Sequence, residues 1–583
     1  MDLVNLTING KPVSVPKKTT ILDAAKKLNI NIPNLCHLHM QDINMKNQCA
    51  SCRVCIVDTP RGFVPSCATN VSEGMVVNTN TPRVLEARKT IVELLLSDHP
   101  QDCLICDKSG NCELQKIAQD LGIRGVQFKG AKNELPIDNS SKSIIRDPNK
   151  CILCRRCETM CNEIQKVGVL SAVNRGFDTS ISTFFNTDLS ETNCTYCGQC
   201  IAVCPTGALS EVNNIPKVWS AISDENKTCV VQVAPAVRVA LGEEFGLEDG
   251  TVSTGKMVAA LRLLGFKYVF DTNFAADLTI LEEASEFLHR LEKGANLPIL
   301  TSCCPAWINY IEHQYPDLLH LPSTCKSPQE MFGAVAKNYF APKIGLTPQD
   351  LTVVSVMPCV AKKYECSRDE LGQGDVLDVD ISITTRELAK MIKEAGIDFD
   401  NLEPDCFDNP LGESTGAADI FGATGGVLES ALRTAYEWVT QEELENVDFK
   451  ALRGFEGIKE ASIDVGGTLV NVCAASSLGS AKKLMDEVRE GKSKYHIIEI
   501  MACPGGCVAG GGQPYHGGDY DKIKARAKAL YDIDANKPLR KSHKNPSILT
   551  LYKELLGEPY SENAHKYLHT TYFDKSNVFC ENK

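Results

Sequence analysis

Residues 151–161 read CILCRRCETMC and residues 194–205 read CTYCGQCIAVCP; each contains the run C-x2-C-x2-C-x3-C. Eight thiols at one repeated spacing supply two complete soft ligand sets, and neither zinc nor disulfide chemistry gives a reason for the duplication. In a module built from two such runs, the fourth cysteine of each crosses to the other cubane. The expected sets are therefore Cys151, Cys154, Cys157 and Cys204 on one [4Fe–4S] cluster, and Cys161, Cys194, Cys197 and Cys200 on the other. The repeat defines residues 141–215 as a two-cluster domain, and the remainder is read outward from it.

Upstream, RVLEARKTIVELLLS (83–97) has helical apolar spacing and leads into His99, Cys103, Cys106 and Cys112. Three thiolates and one imidazole suit zinc, but the neighbouring cysteine runs favour a [4Fe–4S] cluster with one histidine ligand in a domain at 83–140. At the N-terminus, LVNLTI and KPVSV flank Asn9-Gly10, a hairpin with a tight primed turn, followed by a helix around 20–28. Cys36, Cys49, Cys52, Cys55 and Cys67 come next. The order cysteine, C-x2-C, distant cysteine resembles the plant-type [2Fe–2S] arrangement, and Cys36, Cys52, Cys55 and Cys67 are the expected ligands of a β-grasp, ferredoxin-like domain at 1–82. Cys49 is left as a spare thiol. Zinc would also be served by four of these five.

The whole chain has 583 residues, 27 of them cysteine, with 43% hydrophobic and 23% charged residues and a net charge of −13. Such a composition suits a soluble multidomain metalloprotein and argues against a nucleic-acid or anionic-membrane partner, which a positive field would attract. No basic, then apolar leader opens the sequence and no long apolar run follows, so a cytoplasmic location is expected; reducing conditions there favour metal-bound thiols over disulfides.

Beyond residue 215, β-branched runs alternate with helical patterns, the mark of a large α/β domain. Three runs end in cysteine: PILTS before Cys303-Cys304, VVSVMP before Cys359, and HIIEIMA before Cys503 and Cys507. Sites in α/β sheets gather beyond the carboxyl ends of strands, where four such thiols could enclose a further cubane. Cys229, Cys325, Cys366, Cys406 and Cys473 are read as small buried hydrophobes, and Cys580 as part of a frayed end.

TSCCPAW (301–307), MPCVAKK (357–363) and MACPGGCVAGGGQP (501–514) resemble the three active-site motifs of [FeFe]-hydrogenases. The similarity is closest to the large clostridial, ferredoxin-linked form, whose accessory iron–sulfur domains come in the order read above. It extends through 520–583, where KALYDID, LRKSHKNP and LYKELLGEP look like the small-subunit portion that wraps the catalytic domain at 216–519.

The resemblance implies an H-cluster: a [4Fe–4S] cubane joined through one thiolate to a di-iron unit with CO, CN and a bridging azadithiolate. Cys304, Cys359, Cys503 and Cys507 would hold the cubane, Cys507 being the bridge, beside three accessory [4Fe–4S] clusters and one [2Fe–2S]. Cys303 would be the first proton relay, followed by Glu283, Ser323 and Glu286, with Arg290 near the outer end. Ala234, Pro235, Lys362, Gln329, Met357, Phe421 and Met501 would line the di-iron pocket. The implied activity is 2H⁺ + 2e⁻ ⇌ H₂ by a monomer, with ferredoxin, or flavodoxin in its place, as carrier and with maturation enzymes building the di-iron unit. Five lysines against two aspartates in residues 1–35 mark a docking face for that acidic carrier. A hydrogenase-like iron–sulfur assembly protein without the di-iron unit, a hydrogen sensor, and an electron-transfer subunit of an NADH-linked complex are the alternatives; no GxGxxG fingerprint points to direct nicotinamide binding.

Overall fold

The computed structural model describes residues 2–40 and 49–576; Cys580 lies outside the described residues. Strands Leu3–Ile8 and Lys11–Pro16 pair antiparallel around Asn9 (φ 49°) and Gly10 (φ 76°), the two left-handed residues that a primed turn requires. Val76–Val77 adds in parallel on the other side of the first strand. Helix Ile21–Lys26 is shorter than its sequence pattern and is capped by Thr20, whose side chain accepts from the Asp23 amide. Helix Pro82–Asp98 begins on a proline behind a Thr81 cap and ends at His99.

The large α/β domain contains two four-stranded sheets. In one, Tyr268–Asp271, Thr228–Val233, Leu351–Met357 and Ile381–Thr384 lie side by side, all parallel. In the other, Ile299–Leu300, Ile497–Met501 and Thr468–Ser476 are parallel, and Ile458–Val465 closes the edge as an antiparallel hairpin. The central strands are buried on both faces, as their near-continuous Val and Ile content demands. The three cysteine-terminated runs are therefore divided between two sheets whose carboxyl ends face a common space.

Residues beyond 520 fold against this domain rather than away from it. Ile548, Leu551, Tyr552, Leu556, Ala564 and Leu568 share one buried cluster with Phe274, Leu278 and Leu281 of helix Thr272–Lys293. A second tie is ionic. Arg433, fully buried on helix Gly426–Thr440, pairs with Glu429 at 2.7 Å and with Asp534 of helix Tyr520–Asn536 at 2.9 Å. Removing one partner of such a network strands the others in a low-dielectric interior, which costs about 3–5 kcal/mol. Arg433→Ala is accordingly expected to lower the midpoint of thermal unfolding and to open helix Tyr520–Asn536 to limited proteolysis; unchanged protection of that helix would contradict the assignment.

Candidate active site

Five strands run toward one cavity of about 750 Å³, and the residues that follow them form its wall. Ala234 and Pro235 follow Thr228–Val233, Thr272 follows Tyr268–Asp271, and Met357 with Cys359 close Leu351–Met357. From the second sheet, Cys303 and Cys304 follow Ile299–Leu300, and Met501 and Cys503 close Ile497–Met501. Cys507, Gln329, Lys362 and Phe421 complete the wall, so all seven expected pocket residues and all five expected thiols border the same space.

Backbone approaches closely here. A Cβ at Gly510 would stand 2.1 Å from the Pro358 carbonyl oxygen, and one at Gly506 (φ 101°) 2.6 Å from the Thr424 amide nitrogen, so both glycines let the Cys507 loop enter the wall. Cys304 immediately precedes helix Pro305–Gln314, and its sulfur faces the positive end of that helix.

Burial raises every thiol in the cavity. Cys507 is pushed up to about 12 by burial and by its neighbour Cys304, and Cys503 and Cys359 rise for the same two kinds of reason. Protein groups alone thus leave a crowd of sulfurs that resist ionising, which is the condition a cationic iron centre reverses. Burial opposes the charge on Lys362, but Glu365, at 2.7 Å, more than offsets it and holds the ammonium in its charged form. The same Glu365 oxygen accepts from Gln329 Nε2 at 3.0 Å, so one carboxylate aims both polar wall residues.

On the Cys303 side, a line of hydroxyls and carboxyls leads away from the cavity. Burial, followed by the charge of Glu283, lifts the Cys303 thiol well above its ordinary range. Glu283 itself is raised to about 8 by burial and by Glu286, and it accepts from Ser302 Oγ at 3.4 Å. Ser323 Oγ donates to Glu286 at 2.8 Å, and Arg290 pairs with Glu286 at 2.6 Å. Glu283 and Glu286 share the inner face of helix Thr272–Lys293 and are 6% and 1% exposed, so the ordinary reading of LEEASEFLHR as a solvated acidic helix does not hold.

The accessory thiols are grouped as well. One cavity of about 450 Å³ is lined by Cys151, Cys154, Cys157 and Cys204, and another of about 480 Å³ by Cys161, Cys194, Cys197 and Cys200. Cys36 interacts with Cys52 and Cys67, and Cys55 with Cys67, while Cys49 also reaches Cys67, its thiol 3.6 Å from the Cys67 carbonyl oxygen. Cys106 and Cys112 are neighbours, and the buried Nδ1 of His99 has no hydrogen-bond partner among the described residues. The groups are stitched to one another. Ser51 Oγ donates to the Cys154 carbonyl, the Glu113 amide to the Pro205 carbonyl, and Gln165 and Gln199 to the carbonyls of Ala502 and Ala509.

Residues 227–511 match the family described as "Iron only hydrogenase large subunit, C-terminal domain", and 520–575 match "Iron hydrogenase small subunit". Residues 1–82 match a 2Fe-2S iron-sulfur cluster binding domain, 88–127 the NADH-ubiquinone oxidoreductase-G iron-sulfur binding region, and 141–210 the ferredoxin-like domain of NADH-quinone oxidoreductase subunit 3. The chain is 55% identical to the NADP-reducing hydrogenase subunit HndD of Solidesulfovibrio fructosivorans, over 99% of this chain and all of that one. It is 40% identical to iron hydrogenase 1 of Clostridium pasteurianum, over 97% and 99%. The chain belongs to the [FeFe]-hydrogenase family. Among solved structures, a single-residue variant of the HydA1 [FeFe]-hydrogenase of Chlamydomonas reinhardtii matches 62% of this hydrogenase and 99% of its own chain at 42% identity and a TM-score of 0.57.

As an [FeFe]-hydrogenase, the protein is an oxidoreductase acting on H₂, with protons as the other substrate, and it carries 4Fe-4S and 2Fe-2S clusters and the H-cluster. The wall fits that group: soft sulfur donors converge, two glycines clear the approach, and a charged lysine faces an otherwise apolar space. Among the described residues, no helix of this hydrogenase is long and apolar enough to cross a membrane.

Several contributors escaped the sequence reading. Glu365, just past MPCVAKK, Ser302, inside TSCCPAW, and Thr272 have no spacing signal of their own, because what each does depends on Gln329, Glu283 and the cavity wall that folding brings to it. One reading needs correction: Cys406 is exposed rather than a buried hydrophobe, since its loop runs over the surface beside Arg262. Cys325 and Cys366 are buried as expected, yet each thiol also meets a carboxylate, Glu286 and Glu330 respectively.

Proposed function

We propose that this hydrogenase interconverts 2H⁺ + 2e⁻ and H₂ at the thiol-lined cavity and exchanges the electrons with a pyridine-nucleotide-reducing partner subunit. The convergence of five thiols from two sheets on one charged lysine carries the reading. Cys304, Cys359, Cys503 and Cys507 would hold the cubane, with Cys507 as the shared thiolate. When bound, the H-cluster supplies an open iron site and a bridgehead amine at which H₂ is formed or split. Lys362 offers a charge-assisted donor, with the Ala234-Pro235 segment and Gln329 as further polar contacts, while Met357, Phe421 and Met501 exclude water.

The chain's own groups move the proton. The Cys303 thiol holds it at the cavity wall, and Glu283, Ser323 and Glu286 pass it outward, with Arg290 holding the Glu286 carboxylate near the outer end. Because Glu283 is protonated up to about pH 8, it can deliver a proton at neutral pH and loses that ability above it. H₂ production by the wild type is expected to turn down with an apparent pKa of about 8, and the residual activity of Glu283→Gln to lack that limb. A limb that persists unchanged in the variant would remove Glu283 from the route.

Electrons would follow the accessory sites: Cys36, Cys52, Cys55 and Cys67 on a [2Fe–2S] cluster in a β-grasp domain, the one-histidine set His99, Cys103, Cys106 and Cys112, then the two cubanes. The hydrogen-bonded contacts make the Cys151/Cys154/Cys157/Cys204 site a junction that both outer sites touch. The other cubane site is the one that abuts the cavity. Ferredoxin was the expectation from sequence, and the exposed Lys11, Lys17, Lys18, Lys26 and Lys27 remain available to an acidic carrier. The relative matched over its full length is, however, named a subunit of an NADP-reducing hydrogenase, and two accessory domains match NADH oxidoreductase families. The nucleotide would bind on another chain, since no GxGxxG fingerprint opens a strand-helix unit here.

Infrared spectra of anaerobically matured protein, with a paired gas assay, test the chemistry. Carbonyl and cyanide bands with H₂ turnover are expected; fully loaded protein without either would return the assembly-protein reading. H₂-dependent reduction of NADP⁺ or NAD⁺ only by the co-purified complex, and not by this chain with ferredoxin, tests the partner.

A further inference from the structure

Three side chains that the hydrogen chemistry does not use converge beside the N-terminal thiols. Asp23 lies on helix Ile21–Lys26, and His37 and His39 follow Cys36; the ligating atoms of all three are within 4.8 Å of one another. The two imidazoles meet edge to face with centroids 4.7 Å apart. Thr20 Oγ1 donates to Asp23 Oδ2 at 2.7 Å, which fixes the carboxylate and leaves Oδ1 turned to His39 Nδ1 at 3.8 Å.

His37 is the telling member. It is 7% exposed, and neither of its ring nitrogens has a hydrogen-bond partner among the described residues. Leaving a buried polar group unsatisfied is costly, so such an atom calls for a ligand.

We propose that Asp23, His37 and His39 bind one zinc ion, with a fourth position open to water. Two imidazole nitrogens and one carboxylate oxygen are a zinc-type donor set. Tetrahedral zinc brings its ligand atoms to about 3.3 Å of one another, a closure that side-chain rotation supplies. Lys26 and Arg156 face the rings and oppose a cation, but Lys26 is exposed and Arg156 is neutralised by Glu113 at 2.6 Å. Asp23 and Asp519 act in the opposite sense. Between the two histidines, Leu38 packs with Met160, Ile164 and Val203 and lies over Gly518. The ion would therefore clamp the segment carrying Cys36 at a point where the N-terminal, two-cluster and catalytic regions meet.

The test uses iron-loaded protein, whose cluster thiols are occupied, equilibrated with zinc chloride, desalted and analysed for zinc and iron. Wild type is expected to keep one zinc per chain, and His37→Gln/His39→Gln to lose it at unchanged iron content. Wild type that retains no zinc, or a double variant that retains as much, overturns the site. Should the double variant lose iron, Asp23→Asn decides: loss of zinc at constant iron supports the clamp, and full retention refutes it.

Discussion

Cys303→Ala is expected to lower H₂ turnover by about 10²–10⁴-fold, the usual worth of a positioned proton donor, while leaving the infrared bands and the iron content intact. The side chain borders the cavity, and the buried carboxyl of Glu283 raises its pKa from behind. It is not needed to complete the four-sulfur set. Under the proposed route, removing it should interrupt proton delivery without dismantling the site. The more conservative Cys303→Ser keeps a hydroxyl in place, but one that parts with its proton far less readily than a thiol, so recovery is expected to be small. Undiminished turnover of Cys303→Ala, with Glu283→Gln equally active, would place the proton route elsewhere.

Cys359→Ala is expected to have a larger effect and a different signature. Cys359 closes the Leu351–Met357 strand and is 8% exposed, with Cys304 and Cys507 close enough to raise its pKa. Of the four proposed anchors it is the one that follows a strand of the first sheet, so the variant should show no carbonyl or cyanide bands, lowered iron and no measurable turnover. The electron paramagnetic resonance signals of the accessory clusters should persist, because their cysteines line separate cavities. Iron and bands equal to wild type would show that Cys359 is not an anchor. Cys303→Ala and Cys359→Ala thus separate a proton-carrying thiol from a metal-holding one.

Much of this site was legible because cysteine spacing is a local signal. The two C-x2-C-x2-C-x3-C runs and the three cysteine motifs could be read without knowing what lay opposite. The Asn9-Gly10 hairpin was equally plain, since the turn requires those residue types. What the sequence hid was nonlocal. Nothing near Glu365 announces that it will aim both Lys362 and Gln329, and nothing in Asp534 announces Arg433, because each pairing is made by folding distant segments together or by a helix turn whose facing partner is unknown. The division of strands between two sheets was hidden for the same reason. Periodicity identifies a strand but not its neighbours. Cys406 was misread because a lone cysteine has no pattern that distinguishes a loop from a core.

The two-sheet construction makes the cavity a seam. Neither sheet holds a complete sulfur set, so a cofactor seated there would rivet two halves of the domain that also meet through packing, through hydrogen bonds such as Gly512 N–H to the Pro358 carbonyl, and through the segment beyond residue 520. Any group bound across such a joint stabilises the closed arrangement in proportion to its own affinity. Filling the site and stiffening the enzyme would then be a single event.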